Sequence, residues 1–263
     1  MKFNNFFLTC LLILLLPFSS KASIEVVGSL RHVHKGVAGD VYKGEIKIQN
    51  TGSTDQEIKV YQTDLLYNYK DYTYYNTPVS QPRSNANWIK FSPKTAVVKA
   101  NSSMYVQYTV TIPHSDTLKG TYWSVLMVEG VAPLKPAQAG QVTINTVIRY
   151  AIQIVTELQD RGAGKLKFNK PTLLKEGNQL FLAVDIENTG DHYIAPDLSM
   201  KLFDSEGNQV KVITAPRKGI FPTCSTRFRF NLEGVKSGQT YSTVIVAQGE
   251  GNDVFGINYT LFF

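Results

Sequence analysis

Cysteine is nearly missing from this chain: of two residues, Cys10 falls in an amino-terminal leader and Cys224 is left alone. An intrachain disulfide is thereby excluded, and stability has to come from packing. Cys224, within FPTCSTRF, reads as a partly buried small residue rather than a reactive thiol. Apolar residues never recur at a 3.6-residue period over a useful length, which excludes a helical core. There is no run of five like charges and no block of interleaved aromatic and basic residues, so nucleic acid is not an expected partner. Beyond the leader no stretch approaches 18 apolar residues, and the mature chain is expected to hold no integral membrane segment. His32 and His34 share one strand face, but no cysteine or acidic pair completes a ligand set, so neither a metal nor another cofactor is expected. A Ser-His-Asp spacing, a nucleophile elbow, a glycine-rich phosphate loop and paired carboxylates are all wanting, and the chain reads as a non-enzyme.

What is present begins with Lys2, an apolar stretch from Phe6 to Leu16, a break at Pro17, and Ser20 and Ala22 placed as the small residues of a cleavage site. That order is a secretory signal peptide over residues 1–22. Its removal leaves 241 residues and lowers the formal charge from +6 to +4, because Lys2 and Lys21 go with it. The periplasm is the expected location, with the cell surface or the extracellular space as the alternative.

The longest run of strand character is QVTINTVIRYAIQIVTE, residues 141–157. Val142, Ile144, Thr146, Ile148, Tyr150, Ile152 and Ile154 fall on one face, and Gln141, Thr143, Asn145, Val147, Arg149, Ala151 and Gln153 on the other. Read as one strand it would span roughly 50 Å, about three times the usual length. It therefore either bends between sheets or offers an edge to another chain. Arg149, in its middle, asks for an anionic partner, because an ordinary buried strand avoids charge.

Around that run the chain divides into two all-β halves. The first, residues 23–157, opens with SIEVVGSLRHV as a strand and a turn at Gly36 and Gly39. Further strands follow, among them IKIQNTG and the near-continuous apolar run Thr121 to Glu129. LQDRGAG, residues 158–164, loses all periodicity and reads as a linker. The second half, residues 165–263, repeats the plan, and its IENTG echoes the first half's IQNTG. The fold class is two tandem immunoglobulin-like β-sandwiches.

Two such domains behind a signal peptide, the first ending in NTVIRYAIQI, resemble the periplasmic chaperones of pilus and fimbria assembly, typified by the P pilus chaperone. In that family a strand of the form Q-T-K-I-K carries a basic residue facing the interdomain cleft, and Asn145 to Arg149 fits it with Arg149 in the basic place. A second family arginine lies late in the first strand, where Arg31 stands in SLRHVHKG. The resemblance implies capture of an exported, pilin-like subunit by β-strand addition, with an usher or other envelope component as a further partner. Val142, Ile144, Thr146 and Ile148 would form the donating edge, a thinner apolar set than the family's own.

Physically, an added strand gains main-chain hydrogen bonds and needs its register fixed, since a slip of one residue inverts every side chain. Arg31 and Arg149 would fix it by holding the partner's terminal carboxylate in charge-assisted pairs. The competing reading is a structural or adhesive envelope module that binds protein or glycan through a tyrosine-rich segment. Tyr67, Tyr69, Tyr72, Tyr74 and Tyr75 crowd there into nine residues ahead of Pro78 and Pro82. The same rings covering one another in a hairpin would account for the cluster without any ligand.

Overall fold

Gly28 divides what the sequence presents as one opening strand. Its φ of +106° is open to glycine and costly for other residues. The turn it makes is closed by Ser29, whose Oγ accepts from the Arg31 amide at 3.1 Å. The chain thereby crosses from one sheet to another within three residues. The computed structural model describes residues 24–131 and 147–263.

In the first half these residues form β1 (Ile24–Val27), β2 (Arg31–Gly36), β3 (Val41–Asn50), β4 (Gln56–Tyr67) and β5 (Thr73–Asn76). They continue through one 3-10 turn at Ala86–Trp88 to β6 (Ile89–Ser92), β7 (Thr95–Val98), β8 (Ser102–Thr111), β9 (Thr121–Gly130) and β10 (Arg149–Leu158). One sheet runs β1-β3-β8-β6, and its partner runs β2-β10-β9-β4-β5 with β7 also on β4. Ile46, Ile48, Val106 and Val110 of the first sheet close on Ile58, Leu126, Ile152 and Ile154 of the second. These are the inward residues of alternating strands, so the sequence period places them.

The second half supplies β11 (Leu166–Phe168), β12 (Thr172–Glu176), β13 (Gln179–Asn188), β14 (Asp197–Phe203) and β15 (Gln209–Ala215). It ends with β16 (Ser225–Asn231), β17 (Thr240–Gln248) and β18 (Val254–Phe262). β11 and β12 pair successive parts of β13, which carries β16 on its other edge, and the facing sheet runs β15-β14-β17-β18. The chain is all-β, two sandwiches in tandem.

The repeated Asn-Thr-Gly marks the same device in both halves. Asn50 is fully buried, and its carboxamide donates to Thr54 O and Val98 O and accepts from the Gly52 amide. Asn188 does likewise with His192 O, Ile220 O and Gly190. Each satisfies loop carbonyls that burial would otherwise leave unpaired.

Of the long run from Gln141 to Glu157, β10 takes the part from Arg149 on; Val147 and Ile148 precede it outside any strand, and residues 141–146 lie outside the described residues.

Candidate functional site: the face between the sandwiches

The β9 run Thr121 to Glu129 is apolar on both faces because both are covered. Leu126 and Val128 point into the first sandwich, whereas Trp123, Val125 and Met127, with Leu65 and Val155, join the core of the second. Trp123 lies flat on Phe221, ring centroids 4.5 Å apart, and its Nε1 donates to Leu65 O at 2.8 Å. Tyr193 tilts against the same Phe221 at 4.9 Å. Tyr67 approaches Phe221 edge-on; its hydroxyl donates to Gly219 O at 2.9 Å and accepts from the Phe221 amide at 3.0 Å. Gly219 has no room for a Cβ, because the Tyr193 ring occupies that position.

Arg31 rests on this aromatic group. Its guanidinium carbon sits 3.8 Å from the Tyr193 ring centroid and 5.4 Å from that of Phe221, a cation held by two ring faces. Its Nε is buried and has no hydrogen-bond partner among the described residues. A planar donor fixed by stacking with one N–H unspent is suited to a carboxylate.

The register gives Arg31 its neighbourhood. β2 runs parallel to β10 from Arg31 opposite Gln153 to Gly36 opposite Leu158, while β9 accompanies β10 from Arg149 to Glu157. Among the described residues, the outer edge of β10 from Arg149 to Ile152 therefore has no strand beside it. The Gln153 amide donates across that edge to Leu30 O at 2.8 Å. By alternation the amides of Arg149 and Ala151 point to the same open side.

Arg31 and Arg149 share one face of their sheet, but the register does not bring them to one point. Four residues of β10 separate Arg149 from the position beside Arg31, about 13 Å at 3.3 Å per residue. Arg149 is largely exposed and its Nε meets Glu129 Oε2 at 2.8 Å; Glu129 also accepts from Tyr61. Ile148 and Val147 are each about two-fifths exposed at the head of this edge, and Val142, Ile144 and Thr146 lie outside the described residues.

The tyrosine cluster forms the hairpin of β4 and β5 and is divided in use. Tyr67 is spent on the second sandwich as described, and Tyr69 follows it, its amide donating to Ser225 Oγ at 3.2 Å and its ring 5.7 Å from the Arg227 guanidinium. Tyr72, Tyr74 and Tyr75 remain exposed. His32 and His34 turn to the opposite side of β2, where both bond the Tyr108 hydroxyl, at 2.8 and 3.1 Å. His34 also stacks on Tyr42, and burial together with the neighbouring His32 lowers its pKa. Burial raises the Cys224 thiol to about 11, so it stays protonated near neutrality.

Sequence reasoning missed Trp123, Tyr193, Phe221 and Asp191. Asp191 clasps the two halves: it pairs with Arg83 and, at 3.3 Å, with Lys119 Nζ, and it accepts from the Ala163 amide at 2.9 Å. The Ala163 hydrogen bond, then Lys119 and Arg83, hold its carboxyl below the usual aspartate range. Gly120, at φ +77°, lets the first half approach the Asp191 backbone too closely for any Cβ.

Beside Arg31 the two sandwiches enclose a cleft of about 610 Å³, running along Val33 and Val37 to Leu158 and Tyr193. Lys35 and Arg161 share its lining with Asp40, Glu157 and Glu250, so charges of opposite sign nearly cancel around Arg31, and Lys35 sits beside Glu157 in the register of β2 and β10.

Two β-sandwiches in tandem, with a stacked arginine in the cleft and a strand edge without a described neighbour leading to it, define a tandem immunoglobulin-like fold. No family model and no curated protein matches the sequence. Among solved structures the chain is similar to one described as a chaperone-tip adhesin complex vital for synergistic activation of CFA/I fimbriae biogenesis. Identity is 14%, the TM-score 0.51, and the match covers 91% of this chain and 98% of that one. It is also similar to the class 5 fimbriae chaperone CfaA, at 14% identity and a TM-score of 0.48 over 90% of this chain and 98% of that one. The first likeness shows a shared two-sandwich fold.

Proposed function

We propose that this protein is an exported, chaperone-like binding protein that captures a secreted, pilin-like subunit by β-strand addition. The partner's strand pairs with the open edge of β10, and its terminal carboxylate is held by Arg31 with Arg149 lining the approach. The observation that carries this reading is the Arg31 Nε, buried and without a partner among the described residues, at the end of a β10 edge that has no described neighbour. The shared fold with a protein of a chaperone-adhesin complex supports it. Residues 1–22 direct export to the periplasm, and an usher or another envelope component receives the loaded complex. The double change Arg31→Ala and Arg149→Ala removes co-purification of the exported partner from the host while the thermal transition stays in place.

A second reading rests on the exposed rings of Tyr72, Tyr74 and Tyr75. In it the protein is an adhesive module whose partner is a protein or glycan. Partner recovery unchanged in the double arginine variant, and lost when the three tyrosines become alanine, would establish that reading in place of the first.

A further inference from the structure

The cleft at Arg31 is far larger than a carboxylate requires. About 610 Å³ is within the range of pockets that hold whole small ligands. Its position along the strands says what can enter. β2 takes over the edge of β10 from Gln153 onward, so a chain paired ahead of it has its path in the sheet closed at Leu30 and Arg31. A chain ending there with its carboxylate on Arg31 Nε has only its last side chain left to direct into the cleft. Next to Arg31 in the cleft stand two apolar surfaces, Val33, two residues on along the same face of β2 and 42% exposed, and the Tyr193 ring; the lining also carries the charged Lys35, Asp40, Glu157, Arg161 and Glu250.

We propose that the cleft beyond Arg31 is a subsite for the last side chain of the captured polypeptide, and that Val33 and Tyr193 select a large apolar or aromatic residue there. The inference rests on the carboxylate reading above and adds a specificity to it. A buried aromatic side chain gains on the order of tenfold or more in affinity over alanine at such a position.

The test uses the full mature chain and three fluorescent synthetic peptides of alternating valine and threonine, ending in phenylalanine, in alanine, or in phenylalanine amide. Binding is followed by anisotropy. The phenylalanine acid is expected to bind at least about tenfold tighter than the alanine acid, and the amide weaker than either. Val33→Trp, which fills the cleft from an exposed strand position, is expected to cost the phenylalanine peptide its advantage while leaving the alanine peptide unchanged. Equal binding of the two acids, with the amide still weak, overturns the side-chain subsite and leaves the carboxylate anchor standing. An amide that binds as well as its acid, or no binding by any peptide, overturns both.

Discussion

Arg31 draws its usefulness from residues that never touch a partner. A guanidinium on a strand at a surface would spend its donors on water or a nearby carboxylate, as Arg149 does with Glu129. Tyr193 and Phe221 hold Arg31 by its face instead, its Nε has no partner among the described residues, and Trp123 stacks on Phe221. Phe221 is therefore the residue on which both the join between the sandwiches and the orientation of Arg31 depend. Phe221→Ala is expected to cost about 3–5 kcal/mol, as other large-to-small changes in packed cores do. Urea unfolding of the variant against the parent reads this directly. A loss under about 1 kcal/mol would mean that the join is held elsewhere.

At the scale of the strand, the open edge of β10 is a row of backbone donors and acceptors with no described neighbour ahead of Gln153. Proline removes one donor and is tolerated where the N–H faces an open edge. Ala151→Pro is accordingly expected to fold with the β9 ladder intact and to lose most of its partner in pull-down. Ile152→Pro, whose N–H faces β9, is expected to fold poorly. Equal capture by Ala151→Pro and the parent would exclude pairing at that edge.

Strands of this kind are largely legible in the sequence, because alternation marks every element that has one buried face: Ile152 and Ile154, which alternation sets on one face, lie together in the first core. Legibility failed where the cause is not periodic. The run through residues 141–157 alternates as far as its composition goes, yet among the described residues pairing with β9 starts at Arg149, past Val147 and Ile148. Gly28 breaks the first strand through a backbone angle, and the pattern of SIEVVGSLRHV gives no hint of it. Asn50 and Asn188, which the sequence shows only as an echoed motif, are buried braces. The aromatic seat of Arg31 was invisible for a different reason. Tyr193 and Phe221 lie outside strands, in segments with no period, and meet Trp123 only through contacts distant in sequence.

The whole molecule behaves as two sandwiches fastened to each other. Trp123, Leu65 and Val155 of the first half belong to the core of the second, and Asp191 adds charge to that apolar join. Because the Asp191 carboxyl is held below its ordinary range, its contribution is full above about pH 4, the unfolded value. It is lost as pH falls through the lower folded value. Asp191→Asn is expected to destabilise the protein by on the order of 1–3 kcal/mol at neutral pH. It should also flatten the acid limb of the stability curve, as followed by thermal melts between neutral and acidic pH. An acid limb identical to the parent's would show that the clasp contributes nothing.

A fixed angle between the halves keeps Arg31, the cleft and the open edge in one arrangement, as a site that pairs with an extended chain requires. Amide hydrogen exchange at Arg149 and Ala151 tests that most directly, in the protein alone and in the complex with the exported subunit that co-purifies with it. The account predicts fast exchange at both positions in the free protein and strong protection in the complex. A complex in which both amides exchange as freely as before, with protection appearing at Tyr72 to Asn76 instead, would contradict it.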